Sequence, residues 1–179
     1  MKVVFLKKQM DKLVDFMESE AGELGIAGDD LEKIEVATSA NIQFTFPGHT
    51  SQLELIRRMT KEVAAYLPFT EADLEDIGLA IDEACTNVIH HSYAGIKGVI
   101  MVEYKLDPKK LTIVLMDEGE KGQNFNPDLL DPVDKEEYLK ILSKGGLGVH
   151  LIRKIMDEVE YSVVPGVKNS LVMIKYVKN

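Results

Sequence analysis

Thr70-Glu71-Ala72-Asp73-Leu74-Glu75-Asp76-Ile77-Gly78-Leu79-Ala80-Ile81-Asp82-Glu83-Ala84-Cys85-Thr86-Asn87-Val88 is the stretch that decides how this 179-residue chain reads. Thr70 and Asp73 stand at the spacing of a capping box, with Asp in place of the usual Glu, and predict a helix start. Leu74, Ile77, Ile81, Ala84 and Val88 then recur at the helical repeat, so a long helix to about Ser92 has one face to bury. Beside that stripe lie Glu83, Asn87 and His91, four residues apart in turn, on one neighbouring face. The amide oxygen of an asparagine can ligate Mg²⁺, a hard cation that prefers oxygen and keeps several waters. A glutamate one turn away can take a proton from an attacking hydroxyl or water. The same spacing also describes a solvated pair on an exposed helix, so the helix alone does not name a site.

Two further constellations follow it. Asp117-Glu118-Gly119 comes directly after Leu111–Met116, which reads as a strand. A carboxylate at a strand end, followed by a glycine that admits close approach, can accept a hydrogen bond from a ligand amine, although ordinary turns share the pattern. Lys144-Gly145-Gly146-Leu147-Gly148-Val149-His150-Leu151 leads into another helix, to about Asp157. Glycines there let backbone N–H groups approach phosphate oxygens, and a helix N-terminus adds positive potential. The run is neither a P-loop nor Gly-x-Gly-x-x-Gly after a strand, and a plain hinge would look the same. Between these two constellations, residues 117–146 form a long stretch rich in Gly, Asp, Asn and Pro, of a length usually reserved for function.

The remaining elements fall around these. Ile42–Phe46 alternates as a strand stopped by Pro47-Gly48, and Ser51-Gln52-Leu53-Glu54 has capping-box spacing for a helix to about Tyr66. Gly98–Leu106 pairs with Leu111–Met116 around a turn at Asp107–Lys110, and Glu158–Val164 and Ser170–Val177 close the chain as strands. Strand pairs favouring hairpins, interleaved with helices, predict an α+β two-layer sandwich with a mixed sheet. Residues 1–40 read as a helical extension, with helix-like patterns over Lys7–Leu24 and Asp29–Ala40 joined at Gly25–Gly28, set before a domain of residues 41–179. Asp30–Ala37 also faintly repeats Asp73–Ala80.

Composition narrows the partners. Lys and Arg number 21 against 30 Asp and Glu, a net charge of −9 that argues against nucleic acid. No apolar run approaches the roughly 20 residues of a membrane span, and the start is too polar for a secretory signal, so a cytoplasmic protein is expected. Cys85 is the one cysteine, which excludes an intrachain disulfide and a cysteine-built zinc site. His90, His91 and His150 lie near the candidate residues and read as packing or solvated side chains, since a metal cluster needs more partners.

The order of these signals is more specific than any one of them. Asp82–Asn87, then Asp117–Gly119, then Gly145-Gly146-Leu147-Gly148, with Met156-Asp157-Glu158-Val159 after the last helix, resembles the GHKL ATPases with their Bergerat ATP-binding fold. Within them the chain looks most like the anti-sigma-factor serine/threonine kinases of the SpoIIAB and RsbW type, over about residues 41–179. The resemblance implies an enzyme that binds Mg-ATP, with Asn87 holding the Mg²⁺ and Glu83 as the general base toward a serine hydroxyl. It assigns Asp117 to the adenine amino group and Gly119 to the space for the ring. Gly145, Gly146 and Gly148 become the hinge and phosphate donors of a lid. Arg57 or Arg58 falls where the family places a partner-contacting arginine. By the same resemblance the chain would be a cytoplasmic homodimer that sequesters a sigma factor and phosphorylates a serine on a small antagonist (anti-anti-sigma) protein.

Three departures and two alternatives stand beside this. The second glycine expected soon after Gly119 is missing, Gly122 arriving late, and Gly166–Ser170 replaces a Gly-Thr pair, so Asn169 or Ser170 becomes the candidate polar contact. The 40-residue extension is the third departure, and it carries no histidine, which speaks against a histidine-kinase arrangement. A non-catalytic ATP-gated binding module, or a GHKL ATPase in which Glu83 activates water, would carry the same motifs.

Overall fold

A computed structural model describes residues 12, 15–16, 19–20, 22–25, 32–36, 41–90, 98–117, 147–164 and 168–178. The strands are β1 (Glu32–Val36), β2 (Asn41–Pro47), β3 (Val99–Asp107), β4 (Lys110–Asp117), β5 (Glu158–Val164) and β6 (Lys168–Tyr176), and the helices after β1 are α1 (Leu53–Ala64), α2 (Glu71–Val88) and α3 (Leu147–Ile155). They form one six-stranded sheet in the order β1-β2-β3-β4-β6-β5, with helices packed on one face. The α+β two-layer expectation holds.

The mixed sheet does not. Every pairing among the described strands is antiparallel. β4 and β5 point the same way and are joined through α3, but β6 lies between them and removes the parallel pair. The second helix expected in the extension is also overturned: Glu32–Val36 is a strand on β2, with a register irregularity between Glu32 and Glu35. Ile34 and Val36 alternate with Glu35 and are β-branched, and the open edge of β2 supplies a ladder that outweighs the helical spacing. The faint repeat falls with it, because the matching Glu75–Leu79 lies inside α2.

Local chemistry sets the helix starts. The Thr70–Asp73 capping box forms as expected, with Asp73 N donating to Thr70 Oγ1 at 3.2 Å and Thr70 N to Asp73 Oδ2 at 3.1 Å. The Thr70 hydroxyl, donating to Asp73 Oδ2 at 2.6 Å, and after it the Thr70 amide hold the Asp73 carboxyl below its ordinary pKa. The box expected at Ser51 is not made. The Ser51 amide and hydroxyl are both engaged by His49 Nδ1, at 3.2 and 2.9 Å, in a 3-10 turn over Thr50–Gln52, and α1 starts from Gln52 without a side-chain cap.

The core lies between sheet and helices. Leu55, Ile56, Met59 and Val63 of α1 and Ile77, Ala80, Ile81, Ala84 and Cys85 of α2 are buried against Phe44, Phe46, Ile100, Val102, Ile113 and Leu115. Burial pushes the Cys85 thiol pKa well up, so it packs as a small apolar group. One polar pair sits inside this layer. Thr60 Oγ1 donates its proton to Ile56 O at 2.8 Å, so the Tyr104 hydroxyl, 2.6 Å away, must be the donor to Thr60.

That assignment gives an asymmetric expectation. Thr60→Val orphans a buried donor and costs about 1–3 kcal/mol, whereas Tyr104→Phe leaves only a spare acceptor and costs about 1 kcal/mol or less. Urea titration of both variants measures the order, and a larger loss for Tyr104→Phe would reverse the donor assignment.

Candidate functional site

The site is built by the facing ends of α2 and α3 and the end of the sheet beside them. The stripe of α2 on the sheet fixes the rotation of that helix, and its two flanks then meet different neighbours. On one flank are Glu83 and Asn87, both half-buried, which face Gly148 in the first turn of α3. A β-carbon placed on Gly148 would stand 2.5 Å from Glu83 Oε2 and 3.2 Å from Asn87 Nδ2. Glycine is the residue that permits this approach: anything larger displaces the carboxylate. Sequence placed Glu83 and Asn87 on one face of one helix; the structure adds Gly148 directly across from them.

Asp117 arrives by strand parity. Leu111, Ile113 and Leu115 point toward the helices and are buried, and Asp117 is the next residue in that row, itself 3% exposed. Its register partner Asn169, also 3% exposed, donates Nδ2 to Asp117 Oδ1 at 3.0 Å. A bond of this kind fixes the direction of the carboxylate. The same row of β6 continues through Leu171 and Met173 to Lys175, whose ammonium donates to Ile155 O at 2.5 Å in the last turn of α3. With its last turn tied to the Lys175 end of β6, α3 begins toward the Asp117–Asn169 end. Tyr161 of β5 belongs to this region and was missed from sequence. Burial first, and then the Asp117 charge, push its phenol up to about 12. The signal was available: Tyr161 pairs with Leu171 and so shares the row of Asn169 and Asp117.

On the opposite flank of α2, Gly78 and Asp82 face α1. The stems of Lys61 and Arg57 lie where a Gly78 side chain would be, at 3.1 and 3.4 Å from its β-carbon position. Arg57 pairs with Asp82 at 3.3 Å and with Glu54; Arg58 pairs with Glu54 at 2.8 Å, with Glu23 at 3.8 Å and with Glu20. Burial raises the Asp82 pKa, and Arg57 partly offsets it. Exposed pairs of this type stabilise by about 0–1 kcal/mol each, so the network positions α1 on α2 more than it holds the fold together. Neither arginine reaches the Glu83 flank: they belong to a separate face.

His90 is exposed at the end of α2, and His150 lies on α3. Gly119, Gly145, Gly146 and His91 fall outside the described residues. No group of three or more His, Cys, Asp or Glu that could hold a metal ion occurs among the described residues. An ion at Asn87 would therefore take most of its oxygens from ligand and water, which is the habit of Mg²⁺ rather than of a caged metal. No helix among the described residues is long and apolar enough to cross a membrane.

Residues 46–175 match the family described as Histidine kinase-like ATPase domain. The chain is 33% identical over 141 residues to a protein named Serine-protein kinase RsbW from Halalkalibacterium halodurans, covering 76% of this chain and 83% of that one. It is 34% identical over 140 residues to the protein of that name from Staphylococcus aureus (76% and 87%) and 30% identical over 132 residues to that from Bacillus licheniformis (73% and 82%). The chain belongs to the histidine kinase-like ATPase family, on its RsbW-like anti-sigma kinase branch. Such a domain binds ATP.

The Gly148 contact makes a specific expectation. In Gly148→Ala the better helix propensity of alanine, up to about 1 kcal/mol, offsets the local shift, so the melting temperature stays within a few degrees. ATP-dependent activity should nevertheless fall at least tenfold, because Glu83 has to move. Thermal unfolding and turnover measured side by side test this, and full activity would show that the apposition has no part in the site.

Proposed function

We propose that the chain is an ATP-dependent protein serine/threonine kinase of the anti-sigma type, a regulatory switch that binds Mg-ATP and phosphorylates a serine on a small antagonist protein. One observation carries the site assignment: Glu83 and Asn87 project together against the first turn of α3, where Gly148 has no side chain to keep them away. Asn87 would hold Mg²⁺ through its amide oxygen, and the ion when bound supplies neutralisation of the phosphate charge. Glu83 accepts the proton of the attacking serine hydroxyl, as a positioned base one helical turn from Asn87 can. Asp117, oriented by Asn169, accepts from the adenine amino group, and Gly119 gives the ring room. Gly145, Gly146 and Gly148 offer backbone N–H groups where α3 begins, and the helix N-terminus adds positive potential. Phosphoryl transfer needs positioning and charge stabilisation more than covalent help from the protein, and this donor set supplies both.

The partners in this reading are a sigma factor, or another regulatory protein, and the antagonist that receives the phosphate, in the cytoplasm. Arg57 and Arg58, half-exposed on α1, face away from the nucleotide site, which suits a partner contact. Residues 41–179 are the kinase domain, with 1–40 as an appendage that lends it an edge strand. A homodimer belongs to this reading through the likeness to the anti-sigma kinases; sedimentation velocity showing only monomer at micromolar concentration would remove it.

Glu83→Ala should retain Mg-ATP binding while transfer of labelled phosphate to serine falls by about 10²–10⁴-fold, the range for loss of a general base. Asn87→Ala should instead weaken Mg-dependent ATP binding about tenfold or more, a loss of about 1.4 kcal/mol by calorimetry. Wild-type transfer by Glu83→Ala, or unchanged affinity in Asn87→Ala, would withdraw the respective role.

A further inference from the structure

The segment that covers α1 shows what that helix accepts. Among the described residues from 12 to 23 the backbone is helical, and it ends at Gly25, whose φ of 68° is the left-handed value of a helix stop. Phe16, Glu20, Glu23 and Leu24 fall four, seven and eight residues along from the first and share one face. That face lies against the domain. Phe16 and Leu24 pack on its core, Glu20 pairs with Arg58, and the Glu23 carboxylate stands 3.8 Å from the same guanidinium.

We infer that the Arg58 edge of α1 is a docking site for an acidic amphipathic helix of a partner protein, and that the face carrying Phe16, Glu20, Glu23 and Leu24 occupies it as an internal stand-in the partner must displace. The inference rests on the reading of the chain as a partner-binding switch and adds the place and chemistry of the contact. The surface takes two carboxylates one turn apart, with an aromatic and a leucine on the same face, so a partner helix carrying those groups makes the same contacts. The occupant is poised to leave. Phe16 and Leu24 stay partly exposed, the Glu23 side chain is 67% exposed, and surface ion pairs are screened by salt. Release does not strand the arginines. Glu54 is bonded to both Arg57 and Arg58, and Asp82 to Arg57, so α1 keeps its alignment on α2 when Glu20 and Glu23 depart. The tether of residues 26–31 is short, and a short tether gives an effective concentration on the order of millimolar. A partner therefore sees only the open fraction of this surface, and anything that loosens the segment raises its apparent affinity.

The test uses the full chain and, as probe, a fluorescein-labelled synthetic peptide of residues 12–25. The double variant Glu20→Lys/Glu23→Lys, altered at the two carboxylates that face Arg58, should bind the peptide at least tenfold more tightly than the wild type. Adding Arg58→Ala should cancel that gain, and added salt should weaken the binding. Equal affinity for wild type and double variant would mean that the segment does not cover the surface. Binding to neither would mean that the surface is not a docking site, and binding that survives Arg58→Ala would place it elsewhere; each result overturns the inference. Mg-ATP binding by the same variants is read separately by calorimetry, so a failure of the nucleotide assignment is distinguishable from a failure here.

Discussion

The rotation of α2 about its own axis is the constraint from which the rest of the structure follows. Ile77, Ile81 and Ala84 must face the sheet, because leaving any of them in water would forfeit about 1 kcal/mol for the alanine and roughly twice that for each isoleucine. Once that stripe is set, adjacent residues are sent to opposite neighbours. Asp82 meets Arg57 of α1, and Glu83 meets Gly148 of α3. A helix turned by one residue would bring Glu83 to the place of Asp82, force Asp82 onto the sheet-facing stripe and lose the contact with Gly148. The ion-pair network toward α1 and the Glu83–Gly148 contact toward α3 are thus two consequences of one packing decision, separated by a single peptide bond.

The sheet supplies the second half of the frame through parity. The helix-facing row of β4 ends in Asp117, and the helix-facing row of β6 begins with Asn169 and ends with Lys175. Both rows are apolar between their polar ends, so the polar groups are buried only where each has a partner: Asp117 with Asn169, and Lys175 with the carbonyl of Ile155. Lys175 meets the tail of α3, where a cation suits the helix dipole. The strand that orients the Asp117 carboxylate therefore also anchors the helix whose start faces Glu83.

Much of this was legible in the residues, and the failures have physical causes. The α2 helix, the capping box at Thr70, the pairing of Glu83 with Asn87, the hairpin through Asp107–Lys110 and the strand end at Asp117 were all visible as period, cap or turn. Glu32–Val36 was not, because its apolar spacing serves helix and strand alike, and only the free edge of β2 decides between them. The antiparallel sheet was not, because strand order depends on where β6 inserts, which no local pattern records. Ser51 failed as a cap because a histidine two residues earlier competes for it. The opposition of Gly148 to Glu83, across more than sixty residues of sequence, emerges only once both helices are seated on one sheet.

That opposition ties two positions together in a way selection would feel. With 2.5 Å between the Glu83 carboxylate and the place a methyl group would occupy, residue 148 can grow only by pushing that carboxylate from its place. The two positions form a lock in which the smaller member guards the larger. Among descendants of this sequence, a side chain appearing at residue 148 would be a readable mark that the carboxylate at residue 83 had left its present position, while the fold around it, which needs neither, persisted.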